Sequence, residues 1–272
     1  MKSVLLHIDG SAEQEARFQL AADVVRAMEG HLTCLQPLAS METYLPTDPF
    51  GISAFAGDAL ERARAWEKEQ QDAIEARLRT ENISWDWHAH PGAPAQLIAD
   101  HSWLSELVVV SAPQQDWPGR LAVPPIAADV VMRSRAPVMV VPGQTRRFDC
   151  AGTAVVAWNG SAEVCQALRG AVPLLRLATE VLIVTIPDEG VADFPPMEGA
   201  AFLSRHGIGS EIVEIPAQGR APQDMLRAFA ADRGAAWMVM GAYGHSRLRE
   251  MLLGGTTREL LVNPPVPLLL AH

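Results

Sequence analysis

The feature of this sequence that most limits its fold is an internal repeat. Residues Ser3 to Pro37 align without a gap on Thr153 to Pro187. Near the ends of the two copies, Ser111 to Val140 align in the same way on Gly241 to Leu270. A repeat of this length is one structural unit present twice, and 272 residues are enough to give each unit its own core.

The two copies differ in length between their aligned segments, where the first copy holds 73 residues and the second holds 53. The first copy contains the proline-rich stretch Pro37 to Gly57 in this interval, and we predict that this stretch is a long loop. We predict two domains, residues 1–143 and 150–272, with a polar, turn-rich linker around Pro142 to Gly152.

Each copy alternates short apolar segments with helical patterns, which predicts a repeated strand–helix unit. In the second copy the predicted strands are 153–158, 180–186, 210–215, 236–241 and 266–270, and the helices start near Ala162, Val191, Pro222 and Leu252. Strands this apolar are typical of a parallel sheet covered by helices on both faces. We therefore predict an α/β fold of two doubly wound, five-stranded parallel sheets. A strand order of 3-2-1-4-5 would place the topological switch, where ligands bind, between strands 1 and 4.

Charge and composition exclude several classes of function. The net charge is −10 and the isoelectric point about 5.3, with no run of Lys and Arg, which argues against nucleic-acid binding. The apolar runs are strand-length, far below the ~20 residues that span a bilayer, and we expect no signal peptide because the apolar run Val4 to Leu6 is too short. Cys34, Cys150 and Cys165 lack the spacing of a disulfide framework or a zinc site. We expect a cytoplasmic protein with no membrane partner.

A glycine-rich segment at the end of the fourth strand of the second copy carries the strongest chemical signal. It contains Gly241, Gly244 and, after nine residues, Gly254, Gly255, Thr256 and Thr257. Glycine lets the backbone approach a ligand closely, and successive N–H groups can then form an anion-binding nest. The last four of these residues fall at the helix before the final strand, whose positive end favours a phosphate. Asn159, at the end of strand 1, would face this cradle.

These residues resemble the phosphate motif of the universal stress protein family, Gly-x2-Gly-x9-Gly-Ser/Thr. Gly241, Gly244 and Gly254 match its spacing, and Val266 to Leu270 resemble the last strand of the family. The resemblance runs through both copies and implies the strand order 3-2-1-4-5 of an adenine nucleotide alpha hydrolase-like fold. It also implies a stress-response protein that binds ATP or AMP, with or without Mg²⁺, in its second domain and signals by occupancy.

Carried over to this sequence, the resemblance implies a role for each residue. Asn159 lies where ATP-binding members have an aspartate near the nucleotide sugar, and Ile186 lies where backbone groups meet the adenine. The phosphates would be lined by Gly241, Gly244, Gly254, Gly255, Thr256 and Thr257. Two residues depart from the family pattern, because Gly255 replaces a Ser/Thr and Asn159 replaces an Asp. Each lost hydrogen bond would cost about 0.5–1.5 kcal/mol, which weakens binding without abolishing it.

The first copy keeps Asp9 at the position of Asn159 but has lost the glycine motif. The residues that align with Gly241, Gly244, Gly254 and Gly255 are Ser111, Gln114, Pro124 and Pro125. Proline has no N–H to donate, and none of the four has the conformational freedom of glycine. We expect no ATP site of the family type in the first domain, while a different ligand under its longer loop stays open.

Two other functions stay open beside nucleotide sensing. The chain could be an interaction scaffold in which both sites are vestigial, or a weak nucleotide hydrolase. No Ser-His-Asp or Cys-His arrangement can be assembled from the strand ends, and members of the resembled family often lack hydrolysis. We therefore assign no catalytic residue and do not expect an enzyme.

Two further patterns concern metal binding and assembly. His88 and His90 alternate on one face of a strand, but no third partner follows at a convincing spacing, so we predict no metal site. The last strand of each copy, Pro137 to Val141 and Val266 to Leu270, is an apolar edge that needs a partner. We expect these two strands to pair within the chain as an internal pseudo-dimer, and association into a homodimer stays open.

Overall fold

The structure is a computed structural model that describes residues 1–38, 53–112, 126–186, 194–216, 219–242 and 255–272. The first copy contains β1 (Ser3–His7), α1 (Gln14–Met28), β2 (His31–Leu38), α2 (Ser53–Leu78), β3 (Ser84–Pro91), α3 (Pro94–His101), β4 (Leu107–Ser111), α4 (Ile126–Arg133) and β5 (Val138–Val141). The second copy contains β6 (Ala154–Trp158), α5 (Ala162–Leu175), β7 (Val181–Thr185), α6 (Pro196–Arg205), β8 (Glu211–Glu214), α7 (Pro222–Asp232), β9 (Trp237–Gly241), α8 (Thr256–Val262) and β10 (Leu268–Ala271).

The strands of both copies form one continuous sheet of ten strands, in the order β3-β2-β1-β4-β5-β10-β9-β6-β7-β8. Within each copy every neighbouring pair is parallel, and the order is the predicted 3-2-1-4-5. The two copies meet where β5 and β10 pair antiparallel, with Val140 opposite Leu268 and Val138 opposite Leu270. The predicted doubly wound domains and their internal pairing through the last strands are confirmed.

The central strands are buried on both faces. Along β1, Val4 and Leu6 belong to one hydrophobic core and Leu5 to the other, because successive side chains of a strand point to opposite faces. The same alternation divides Val108 and Val109 of β4 between the two cores. This two-sided burial explains why the strands are continuous apolar runs in the sequence.

The surplus residues of the first copy lengthen a helix, which corrects part of the loop prediction. Helix α2 begins at Ser53, inside the predicted loop, and runs for 26 residues, whereas α6 in the second copy has 10. Residues 39–52 lie outside the described part of the chain. Helix α2 is rich in Ala, Glu, Arg and Gln, which favour helix, and the ion pair of Lys68 with Asp72 supports it at i, i+4 spacing.

Local chemistry explains where the helices of the second copy begin. The hydroxyl of Ser161 accepts a hydrogen bond from the Val164 N–H at 3.3 Å, which confirms the predicted N-cap of α5. Proline 222 occupies the first turn of α7, as predicted. Helix α6 begins at Pro196 instead of near Val191, because a proline fits the first helical turn and forces the residue before it into an extended conformation.

Contacts outside the sheet also join the two copies. The ring of Phe148, in the segment between the copies, lies edge-on to Trp237 with centroids 6.2 Å apart. The Phe148 N–H donates to Asp23 Oδ2 of α1 at 2.9 Å. In α5, a Cβ atom added to Gly170 would lie 2.3 Å from the side chain of Pro137, so only glycine allows this close approach. The two copies therefore share one packed interior.

The cysteines are free thiols, as expected from their spacing. Cys34 and Cys150 are buried, and Cys165 is half-buried on α5. Burial raises the pKa of the Cys150 thiol to about 12, so this group stays protonated and unreactive near neutral pH. Among the helices that the structure describes, none has both the length and the apolar character needed to cross a membrane.

Candidate functional site

Three residues assigned from the sequence lie along one edge of the second sheet. Trp158 pairs with Thr185 of β7, so Asn159 and Ile186 follow at neighbouring strand ends. Ala157 pairs with Met240 of β9, which places Gly241 beside the end of β6. The structure thus brings Asn159, Ile186 and Gly241 to the carboxyl ends of three adjacent strands, at the topological switch of the fold.

Asn159 is exposed and organises the start of α5. Its side-chain Oδ1 accepts a hydrogen bond from the Ser161 N–H at 3.2 Å, while Ser161 itself caps the helix. Gly160 between them has φ of +72°, a left-handed conformation that favours glycine. Oδ1 accepts this bond with one of its two lone pairs, so the second lone pair and the amide N–H donors of Asn159 can both contact a ligand.

Gly241 has a structural reason to be glycine. A Cβ atom at this position would lie 2.6 Å from the backbone nitrogen of Val164 and 3.0 Å from Cβ of Glu163. The first turn of α5 therefore packs directly against the end of β9. Close helix packing accounts for this glycine without any ligand, so Gly241 by itself does not indicate phosphate binding.

The rest of the glycine motif is only partly described. Gly255, Thr256 and Thr257 lie at the start of α8, as the sequence predicted, with Gly255 as the N-cap residue. Thr257 is buried, and Thr256 is half-buried. Gly244 and Gly254 lie outside the described residues.

A carboxylate that sequence reasoning overlooked lies beside these residues. Glu163, in the first turn of α5, packs against the Gly241 backbone. Its Oε2 atom is buried and has no hydrogen-bond partner among the described residues. An unpaired buried carboxylate oxygen is costly, and a cation or a donor from a ligand would relieve that cost.

The equivalent edge of the first domain is filled by the side chain of Arg17 from α1. Its Nε donates to the His7 carbonyl at 2.7 Å, and Nη1 donates to the hydroxyls of Ser11 at 3.1 Å and Ser111 at 2.9 Å. Nη2 donates to the carboxylate of Asp9, forming an ion pair. The arginine side chain is 1% exposed, so its guanidinium is sealed between the ends of β1 and β4.

Two more side chains close this part of the first domain. Gln14 Oε1 accepts hydrogen bonds from the backbone N–H groups of Asp9 at 2.9 Å and Gly10 at 2.6 Å. The indole of Trp66, on α2, packs against Gly10, where an added Cβ would lie 2.2 Å from it. The backbone donors at the end of β1 are thereby already used within the protein.

The electrostatics of the first domain follow from this packing. Burial, and after it the positive charge of Arg17, lowers the pKa of His7 to about 4, although the nearby charge of Asp9 acts in the opposite direction. Burial would raise the pKa of Asp9, but the Arg17 guanidinium and the Ser11 N–H outweigh it and hold the pKa at about 2. Asp9 is therefore a permanent carboxylate committed to Arg17.

In the second domain, small or apolar residues replace this network. By the alignment of the repeat, Arg17 corresponds to Ala167, Gln14 to Val164, His7 to Ala157 and Ser111 to Gly241. Neither Ala167 nor Val164 has a side-chain group that could pair with Asn159 or accept from the N–H groups after β6. The two domains have the same strand order but differ in the side chains at the topological switch between their first and fourth strands.

Sequence reasoning missed Arg17, although a signal was present. Arg17 lies at i, i+3, i+4 and i+7 with Leu20, Ala21 and Val24, on the apolar stripe that α1 turns to the core. A lone arginine within such a stripe must be paired when buried.

Comparisons with known proteins agree with the fold. The profile of the Universal stress protein family matches residues 1–142 and again residues 153–272. A universal stress protein from Synechocystis sp. is 29% identical over 139 residues, which cover 49% of this chain and 46% of that protein. The chain thus matches about half the length of this relative.

Two solved structures superpose over nearly the whole chain. A universal stress protein from Archaeoglobus fulgidus gives a TM-score of 0.74 at 16% identity, covering 98% of this chain and 97% of that one. A putative universal stress protein from Pseudomonas aeruginosa gives a TM-score of 0.54 at 17% identity, covering 98% of this chain and 92% of that one. The structural likeness extends to the arrangement of two domains, and since the family profile matches both copies, the chain belongs to the universal stress protein family.

Proposed function

We propose that the second domain binds an adenine nucleotide, ATP or AMP, at the carboxyl edge of its strands, and that nucleotide occupancy is the stress signal which this protein transmits in the cytoplasm. The observation that carries the proposal is the contrast at the switch point. Arg17 occupies this position in the first domain, whereas the second domain has Ala167. At the position aligned with Arg17, the second domain therefore has no cationic side chain.

The residues along this edge suit the parts of a nucleotide. Asn159 is exposed and keeps an amide donor for the sugar hydroxyls, and Ile186 begins the segment after β7 that would meet the adenine. By family resemblance the phosphates would lie near Gly241, Gly244, Gly254, Gly255, Thr256 and Thr257. The hydroxyl of Thr256 supplies a donor that Gly255 lacks.

Glu163 adds a requirement for a cation. Its backbone and Cβ lie against Gly241, so in the proposed complex its carboxylate would be near the phosphate groups of the nucleotide and would repel them. A divalent cation that neutralises both groups removes this repulsion, and oxygen ligands are those that Mg²⁺ prefers. We therefore propose that nucleotide binding depends on Mg²⁺ and that Glu163 contributes to this dependence.

Calorimetry on nucleotide-stripped protein tests the proposal. With ATP and Mg²⁺ we expect one site per chain, which is lost in Gly244→Val because the motif then cannot approach a phosphate. Gln114→Val changes the aligned residue of the first domain and serves as the matched control, in which binding is retained. Binding without Mg²⁺ should be weaker in wild type and should recover in part in Glu163→Gln.

Three results would redirect the proposal. No heat in wild type, at concentrations that detect millimolar affinity, would favour a scaffold with two vestigial sites. Equal loss in Gly244→Val and Gln114→Val would contradict the assignment of the site to the second domain. Steady release of phosphate under excess ATP would identify a nucleotide hydrolase instead of a sensor.

A further inference from the structure

Three histidines of the first domain gather at the outer edge of the sheet. His88 and His90 lie on β3, the edge strand, and His101 is the last residue of α3. The ring centroids are 6.1 Å apart for His88 and His90, 5.9 Å for His88 and His101, and 5.3 Å for His90 and His101. One ligand nitrogen of each ring lies within 4.8 Å of the others. We call these three residues the histidine triad.

The fold explains why the third histidine joins the other two. Alternate residues of a strand share a face, so His88 and His90 point to the same side of β3. His88 pairs in register with Leu35 of β2, and Leu35 packs in the same core as Ile98 of α3. Helix α3 therefore covers this face of the sheet, and its last residue, His101, lies next to His88 and His90 of β3.

The ring of His101 is oriented by the backbone. Its Nδ1 lies 2.8 Å from the carbonyl oxygen of Leu97, one helical turn earlier. Because a carbonyl oxygen only accepts, Nδ1 carries the proton and Nε2 presents its lone pair. A histidine whose other nitrogen donates to a backbone carbonyl is the usual arrangement of a metal-binding imidazole.

A carboxylate stands behind the triad on the same strand face. Asp86 Oδ2 lies 3.4 Å from His88 Nε2, and Asp86 Oδ1 is buried without a hydrogen-bond partner among the described residues. A carboxylate beside a ligating imidazole fixes its ring and increases its basicity. The negative charge of Asp86 also favours a cation at the triad.

We propose that the histidine triad binds a divalent transition metal ion, with Zn²⁺ as the ion that best suits three imidazoles. Imidazole nitrogens are borderline ligands that bind Zn²⁺, Cu²⁺ and Ni²⁺ in preference to Mg²⁺ or Ca²⁺. Three protein ligands leave the fourth tetrahedral position open to water or to another ligand. The bound ion would tie the edge strand β3 to helix α3.

The rings need only a small adjustment to reach metal-binding distances. Zn–N bonds of about 2.0–2.1 Å in a tetrahedral site place ligand nitrogens roughly 3.3–3.4 Å apart. The triad nitrogens lie within 4.8 Å of each other, so rotations that move them by about 1–1.5 Å close the site. His90 is exposed and the side chain of His88 is 43% exposed, so both rings have room to turn.

Zinc titration of the full chain, without an affinity tag and after chelator treatment, tests the proposal. We expect calorimetry to give one Zn²⁺ per chain in wild type, and thermal unfolding to shift upward when Zn²⁺ is added. His101→Gln should weaken binding more than about tenfold and abolish the thermal shift, and Asp86→Asn should weaken binding about 10–100-fold. His206→Gln, which removes a histidine of the second domain, is the matched control and should bind as wild type does.

Co²⁺ provides a second readout, since a three-histidine site should give a visible absorption spectrum that His101→Gln lacks. If His101→Gln does not fold, His90→Gln replaces it, because His90 is exposed and its loss leaves the core intact. The proposal is overturned if wild type binds no Zn²⁺, or if the triad variants bind it as tightly as His206→Gln does. Either outcome is independent of nucleotide binding in the second domain.

Discussion

At the scale of single residues, Arg17 and its neighbours set the two domains apart. A guanidinium that is 1% exposed has lost its hydration, and hydrogen bonds to His7, Ser11 and Ser111 together with the charge of Asp9 replace it. Removing one partner of such a pair leaves an uncompensated charge, so the residues must be kept or lost together. In the second domain both charges are absent, because Ala167 replaces the arginine and the uncharged Asn159 replaces the aspartate.

The buried histidine beside this pair predicts that the protein loses stability in acid. His7 has a pKa of about 4 in the folded protein, below its ordinary value of 6.5. Between these two values the unfolded chain binds a proton that the folded chain does not, so the free energy of unfolding falls as the pH falls. The loss should approach about 3 kcal/mol by pH 4, and Asp9, with a pKa of about 2, extends it below pH 4.

Urea unfolding at pH 7 and pH 4.5 measures this effect. We expect His7→Leu to lose less stability on acidification than wild type, because the buried ring nitrogens have no hydrogen-bond partner among the described residues and leucine has no proton to bind. His206→Gln, in the second domain, should keep the pH dependence of wild type. A wild-type stability that is flat between these pH values would contradict the assignment.

At the scale of elements, the contact between α5 and β9 depends on Gly241. In the first domain the aligned Ser111 is accommodated, and its hydroxyl donates to the Glu13 carbonyl at 3.3 Å. In the second domain a Cβ would meet the backbone of Val164 at 2.6 Å, so α5 lies closer to its strand.

Gly241→Ser therefore tests the closeness of this packing. Forcing a helix away from its strand by one side-chain atom should lower the free energy of unfolding by about 1–3 kcal/mol. Denaturant unfolding monitored by circular dichroism measures the change, and Gly209→Ser, where an added Cβ would meet nothing within 4 Å, is the control. Equal stability of Gly241→Ser and wild type would show that α5 can shift without cost.

Helix α2 shows at the same scale where sequence patterns are weak. The proline-rich stretch led us to predict a loop that ends at Gly57, yet the helix begins at Ser53. Helix formation is cooperative, so a helix that is stable in its centre extends toward its N-terminus until it meets a residue that disfavours helix, such as proline. The first residue of a helix depends on the balance between cooperative helix formation and the residues that oppose it, and the local sequence pattern does not determine this balance.

At the scale of the whole molecule, the shared sheet and core predict one cooperative unfolding transition. Phe148 contributes to the coupling because its ring packs on Trp237 and its N–H reaches Asp23 of the other copy. Phe148→Ala should cost about 3–5 kcal/mol and separate the thermal unfolding of the two copies. Differential scanning calorimetry measures both effects, and the control Phe194→Ala, at a residue that is 45% exposed, should leave one transition. A single, unshifted transition in Phe148→Ala would show that the β5–β10 pairing and the other contacts between the copies couple them without Phe148.

The repeat, the apolar strands and the glycine spacing could be read from the residues alone. Periodicity and burial on both faces are properties of short segments, so they predict the α/β class that the structure confirms, and the internal repeat predicts the tandem domains. The strand order 3-2-1-4-5, which the structure also confirms, was implied by the resemblance to the universal stress protein family and not by periodicity. The candidate site was predicted from the glycine spacing and the topological switch for Asn159 and Gly241, and from the family resemblance for Ile186.

Packing between distant segments decided the rest. Arg17 meets Ser111 across 94 residues, and His101 meets His88 only because α3 folds back over the sheet. Such contacts depend on helix position and side-chain rotamers, which residues far apart in the chain set jointly. The sequence therefore predicted a ligand site at the carboxyl edge of the second sheet, while the tertiary structure determined that the first domain fills its own equivalent edge with Arg17 and that three histidines meet at its outer strand.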